Sequence, residues 1–83
     1  MDLEYLEITA VAPMDSYCLD LTFSNGERRL FDMRPYLDKG VFRELKALDY
    51  FKQVAIDYGT TVWPNAQDMS PATLYLAGIQ GHL

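Results

Sequence analysis

Residues 17–33, Tyr17-Cys18-Leu19-Asp20-Leu21-Thr22-Phe23-Ser24-Asn25-Gly26-Glu27-Arg28-Arg29-Leu30-Phe31-Asp32-Met33, carry the clearest fold signal in the chain. Tyr17, Leu19, Leu21 and Phe23 alternate with Cys18, Asp20 and Thr22. A period of two puts the first set on a core and the second towards solvent. Asn25-Gly26 follows, and Asn-Gly between two strand-like runs signals a tight hairpin because both residues tolerate positive φ. The run from Arg28 to Met33 then returns antiparallel and must end before Pro35, which has no N–H for a ladder.

Working outward, Tyr5 to Ala12 mixes β-branched, aromatic and acidic residues and reads as a first strand. Pro13 closes it, with a turn through Met14-Asp15-Ser16. Beyond the hairpin, Tyr36-Leu37 reads as a short turn and Gly40 as punctuation. Val41, Phe42, Leu45 and Leu48 recur at helical spacing, so an amphipathic helix is expected there, with Phe51 closing its far end. Val54 to Tyr58 reads as a fourth strand, Gly59-Thr60 as a tight turn, and Thr61-Val62-Trp63 as a fifth strand stopped by Pro64. Ser70-Pro71 has a cap residue and a first-turn proline in the preferred order, which predicts a short helix over Ala72–Ala77 ended by Gly78. The expected architecture is α+β: a single domain over residues 1–83 with an antiparallel sheet of about five strands. Its order is β-β-β-α-β-β-α, with one main helix and a short C-terminal helix.

The 83 residues suffice for one domain, and the 49% hydrophobic, 23% charged composition is globular. Cys18 is the only cysteine, which excludes an intrachain disulfide and a pair of thiol metal ligands; its strand position points it away from the core, beside Asp20. The first seven residues carry acids where a secretory signal has basic residues, and no apolar run approaches the roughly 20 residues of a membrane span. A cytoplasmic location is expected. The net charge of −5 disfavours nucleic acid as a partner. Charge is also unevenly placed: residues 1–27 hold six acids and no Lys or Arg, whereas all seven basic residues fall within 28–52. That polarity reads either as solvated faces of a strand and a helix or as a means of orienting a partner or a second copy.

Few residues offer chemistry. The one histidine, His82, lies next to the chain end, and the five glycines are scattered, so neither a nucleophile–base pair nor a phosphate-cradling loop is in prospect. No cofactor, metal ligand set or catalytic residue is assigned. Paired carboxylates are the remaining route: Asp32, Asp57 and Asp68 sit near strand ends or in loops, and acid–base work needs two of them in one cleft. Tyr36, Tyr58, Trp63 and Tyr75 could line such a cleft. Alternatively the acids bond to local turns and the aromatics pack the core. Arg28, Arg29, Arg43 and Lys46 are the residues that a nucleic-acid role would use.

Four segments resemble one bacterial family. They are Asn25-Gly26-Glu27; Phe31-Asp32-Met33-Arg34-Pro35-Tyr36-Leu37; Gly40-Val41-Phe42-Arg43-Glu44-Leu45; and Val62-Trp63-Pro64-Asn65-Ala66-Gln67-Asp68-Met69-Ser70-Pro71-Ala72-Thr73-Leu74-Tyr75. Together they are similar, in order and spacing, to the family called domain of unknown function 2442. Ala66 departs from it, standing where that family's motif has glycine; a positive φ there would cost about 1 kcal/mol or more. The resemblance implies a small α+β fold with no established activity. Some relatives carry an appended helix-turn-helix, and others are encoded beside a second small protein in toxin–antitoxin-like pairs; no such appendage is expected after the last helix here.

Beside a nucleic-acid role through Arg28, Arg29, Arg43 and Lys46, two functions are weighed. The first is a non-enzymatic protein-interaction or regulatory module, antitoxin-like, whose contact surface is Arg34, Trp63, Pro64, Asn65, Asp68 and Tyr75. Its partner is another protein or a second copy, with no membrane involved. In this reading Trp63 is an anchor, while the alternative is that Trp63 belongs to the core. The second is a small-molecule-binding protein or small enzyme that uses Asp32, Asp57 or Asp68 in an aromatic-lined cleft. A five-stranded sheet covered by one main helix and one short helix would leave apolar surface open, and homodimerisation would cover it.

Overall fold

A computed structural model describes residues 6–65 and 67–80. The hairpin read from residues 17–33 is its centre: β2 (Cys18–Phe23) pairs antiparallel with β3 (Arg28–Asp32), with Leu19 opposite Phe31 and Leu21 opposite Arg29. Leu19, Leu21, Phe23 and Phe31 are buried, as alternation requires. The turn differs from expectation. Gly26 donates its N–H to the Phe23 carbonyl (2.9 Å), Phe23 N–H is bonded to the Glu27 carbonyl (2.8 Å), and Gly26 alone of the loop has positive φ, +89°. This is a three-residue loop with glycine in the left-handed position, not a two-residue turn centred on Asn25-Gly26.

β1 (Ile8–Pro13) pairs antiparallel with β2 and carries a bulge between Ile8 and Ala10. Tyr17 stands outside the strand with φ 64°, yet its ring meets Phe51 edge-on at 5.3 Å and its hydroxyl donates to the Lys46 carbonyl. A short strand, β7 (Ile79–Gln80), completes the sheet order β1-β2-β3-β7. A second sheet, β4-β5-β6, is formed by β4 (Ala55–Asp57), β5 (Thr60–Val62) and β6 (Asp68–Met69). The single five-stranded sheet is thus corrected to two antiparallel sheets. β4 pairs with β5 and not with β3, and the sheets meet where Ile8 N–H donates to the Gly59 carbonyl, 2.8 Å. β6 and β7, two residues each, are too short to show a period in sequence.

The expected main helix is corrected too. Gly40–Lys46 is a 3₁₀ segment, Ala47 is extended (φ −75°, ψ 112°), and the α-helix that follows, α1 (Leu48–Phe51), is a single turn. The reason is in the spacing. Within Gly40–Lys46, Phe42 and Leu45 stand three residues apart, the repeat of a 3₁₀ helix, whose side chains at i and i+3 eclipse. Leu45 and Phe51 are fully buried, while Val41, which a 3.6-residue period would have placed on the apolar face, is 66% exposed. A 3₁₀ turn at Arg34–Tyr36 follows β3.

α2 (Pro71–Ala77) forms where the sequence places it. The Ser70 hydroxyl accepts the Thr73 N–H at 3.1 Å, a cap of about 1 kcal/mol. Gly78 ends it for reasons of space, since its φ is −76°, but a Cβ there would lie 2.7 Å from the Leu74 carbonyl oxygen. One hydrophobic core joins the inner faces of both sheets to Leu45, Phe51, Trp63, Leu74 and Tyr75. The opposite face of the first sheet is open and carries Ala10, Ala12 and two ion pairs, Arg28 with Asp20 and Arg34 with Asp32. The β4–β5 turn is Tyr58-Gly59, not Gly59-Thr60. Asp57 faces Thr60, and both turn residues have positive φ (51° and 77°). Glycine accepts this freely, whereas for tyrosine it costs about 1–2 kcal/mol.

Candidate interaction surface

The loop after β5 is built from its buried end. Trp63 follows Thr61 on the inward side of β5, is 2% exposed, packs beside Phe51 and donates its indole N–H to the Phe51 carbonyl at 2.9 Å. Trp63 is therefore a core residue, which decides between its two readings. Past Pro64 the chain turns back, and Trp63 N–H donates to the Gln67 carbonyl (3.0 Å). The Gln67 amide is 2% exposed. Its nitrogen donates to the Val41 carbonyl and to Glu44, both at 2.9 Å, and its oxygen accepts from the Tyr50 hydroxyl at 2.7 Å. Asn65 donates its backbone N–H to Tyr50 (2.9 Å) and its side-chain amide to Glu44 (2.7 Å).

This network fastens the loop to the 3₁₀ segment and α1 through side chains that the sequence reading did not single out: Gln67, Tyr50 and Glu44. The signal was present in part. A glutamine two residues beyond Pro-Asn can fold back on its own turn, but its partners lie 17 to 26 residues away along the chain. What the network leaves facing outward is Pro64, the rim of Asn65, and Val41.

Two residues assigned to the same surface are engaged elsewhere. Tyr75 is 8% exposed and packs edge-on against Phe23; its hydroxyl donates to Glu27, and the Arg29 guanidinium lies over its ring, 3.9 Å from the centroid. Arg29 also pairs with Glu27 at 3.2 Å. The Tyr75 hydroxyl first, and Arg29 after it, hold the Glu27 carboxyl below the usual range. Arg34 is exposed and grips Asp32 through Nε and a terminal nitrogen at 2.8–3.1 Å, while its backbone N–H donates to the same carboxylate at 2.9 Å. The side-chain bonds from Arg34 lead in lowering the Asp32 pKa.

The three carboxylates are not gathered. Asp32 ends β3 in the first sheet and is committed to Arg34. Asp57 and Asp68 are exposed on β4 and β6, with β5 between them, which separates them by two strand spacings of about 4.8 Å. Among the described residues there is no cavity, and no cluster of His, Cys, Asp and Glu that could hold a metal ion. The shared cleft is thus corrected to separate surface positions. Tyr36 stacks on Phe31, and Tyr58 is 96% exposed and lines nothing. Of the four residues named for nucleic acid, Arg28 pairs with Asp20, Arg29 with Glu27 and Lys46 with Asp38, and Arg43 stands exposed without an ion pair among the described residues. His82 and Ala66 lie outside the described residues. No helix among those described is long and apolar enough to cross a membrane.

A two-sheet α+β domain with an N-G-E hairpin locked to the tyrosine of its last helix, and a Trp-Pro-Asn loop locked to a 3₁₀ segment, matches one family model over residues 8–80. The chain belongs to that family, described as protein of unknown function (DUF2442). No curated protein and no solved structure matches the chain.

Proposed function

We propose that this domain acts by binding a protein, as the regulatory member of a two-protein pair of the antitoxin-like kind that the family resemblance suggests. The contact surface is the Pro64–Asn65 loop tip with Val41. The observation that supports this reading is the buried Gln67 amide, which ties the loop to the Val41 carbonyl and to Glu44. Pro64 stands between two residues whose backbone or indole N–H groups are bonded inward, and Val41 has its own carbonyl held. Side chains so fixed lose little conformational freedom on binding, which is what makes a small surface effective. Trp63 supports this surface from the core, whereas Tyr75 is bound to the hairpin and Arg34 to Asp32.

The test is affinity purification of the tagged chain at native expression, with the accompanying protein identified and then assayed against variants. Val41→Asp and Pro64→Asp should each abolish its recovery while leaving the far-ultraviolet spectrum and Trp63 emission unchanged. Recovery of the same protein at wild-type levels by both folded variants would count against this surface.

A further inference from the structure

The Tyr58 turn is the feature that the loop surface leaves unexplained. Its ring is 96% exposed on a left-handed backbone, and the turn is fixed from beneath: the Gly59 carbonyl accepts Ile8 N–H at 2.8 Å, and Thr60 Oγ1 donates to the Met69 carbonyl. A Cβ on Gly59 would lie 2.8 Å from Glu7 Oε2, so that carboxylate sits against the turn. The tip is thus a rigidly held aromatic with acids beside it, Asp57 and Glu7, both exposed and neither ion-paired among the described residues. A strained, exposed aromatic is a reason to look for what it meets.

The chain carries the complement. Val41, 66% exposed, lies between Lys39 and Arg43. Arg28, Arg29, Arg34, Lys46 and Lys52 each have a carboxylate partner, whereas Lys39 and Arg43 have no ion pair among the described residues; Lys39 Nζ lies 5.6 Å from the Tyr36 ring centroid, and the Arg43 charge acts on Asp38. Within one molecule the acidic tip and the basic patch thus leave each other unpaired.

We infer that the Tyr58 tip of one copy docks on the Val41 patch of a second copy. Tyr58 covers Val41 with Arg43 or Lys39 against its ring face, and Asp57 and Glu7 meet the two cations. The net charge of −5 opposes self-association at long range, so the contact depends on these local pairs. The inference rests on the reading of the domain as an interaction module and adds a second copy as a further occupant of the Val41 patch.

Sedimentation equilibrium of the full chain tests it, from about 5 μM to about 1 mM in 0.15 M salt, where screening acts beyond about 8 Å. The mass should rise with concentration from 9.5 kDa towards twice that value or more. Tyr58→Gly suits the positive φ, keeps the fold, and should weaken association at least about tenfold, as removal of an anchor does. Asp57→Lys and Arg43→Asp should each weaken it, and the two combined should restore it. A chain that stays monomeric throughout, a Tyr58→Gly variant that associates like wild type, or a double variant no better than the single ones overturns the inference. A monomeric chain that still recovers another protein through Val41 and Pro64 overturns self-docking alone and leaves the preceding reading standing.

Discussion

The Trp63 loop and the Tyr58 turn lie five residues apart on the same small sheet, yet they treat their aromatic rings in opposite ways. Trp63 follows Thr61 on the inward side of β5 and is buried to 2%; Tyr58 occupies a left-handed turn position and is exposed to 96%. Around Trp63 the side chains of Gln67, Tyr50, Glu44 and Asn65 are bonded to one another. Around Tyr58 the backbone is anchored but the side chain is thrown outward against its own conformational preference. Aromatic residues do not declare their role by type or by motif. Backbone position decides it: Trp63 continues the inward side of β5, and Tyr58 occupies the turn before that strand.

The sharpest way to break this comparison is Trp63→Ala. Loss of a buried indole and its bond to Phe51 should lower stability by about 3–5 kcal/mol, most of what a domain of this size holds. A chemical denaturation midpoint barely changed would show that Trp63 is not in the core. Gln67→Ala comes next. It leaves the Tyr50 hydroxyl, the Val41 carbonyl and Glu44 without a buried partner, at about 1–3 kcal/mol. It should also loosen the loop, read as faster amide exchange at Trp63 and Asn65 with the β2–β3 ladder still protected.

The smallest effect lies at Tyr75, the aromatic that the structure moves from the surface to a lock on the hairpin. Its hydroxyl leads in lowering the Glu27 pKa, so the folded carboxylate titrates below the ordinary value of 4.5. A depressed folded-state pKa stabilises the fold above the unfolded value, and that contribution fades as pH falls through the folded one. Tyr75→Phe should therefore be less stable than wild type at pH 7, with the difference shrinking as pH falls below 4.5 and through the lowered pKa of Glu27. A difference that does not shrink as pH falls would assign the loss to packing instead.

Much of the fold was legible because its strongest signals are local. The alternation from Leu19 to Phe23, the glycine of the hairpin and the Ser70-Pro71 start of α2 each act within a few residues, and each stands in the structure. The errors also have local causes. Val41, Phe42, Leu45 and Leu48 fit an α-helical spacing because periods of 3.0 and 3.6 differ little over two turns. The division into two sheets depends on β4 pairing with β5 and not β3, a long-range choice on which periodicity is silent. At the candidate surface, Pro64 and Asn65 could be found from their turn chemistry. Gln67, Tyr50 and Glu44 could not, since their network closes across the fold, and Tyr58 was hidden by placing its turn one residue too late.

Trp63 is the only tryptophan, so its fluorescence reports on the central claim without substitution. If Trp63 is a core-anchored support for the loop and not itself the contact, native emission should be blue-shifted. It should also resist acrylamide and iodide quenching, and become red-shifted and quenchable on unfolding. Native emission as red and as readily quenched as that of the unfolded chain would contradict the account, by placing the indole on the surface.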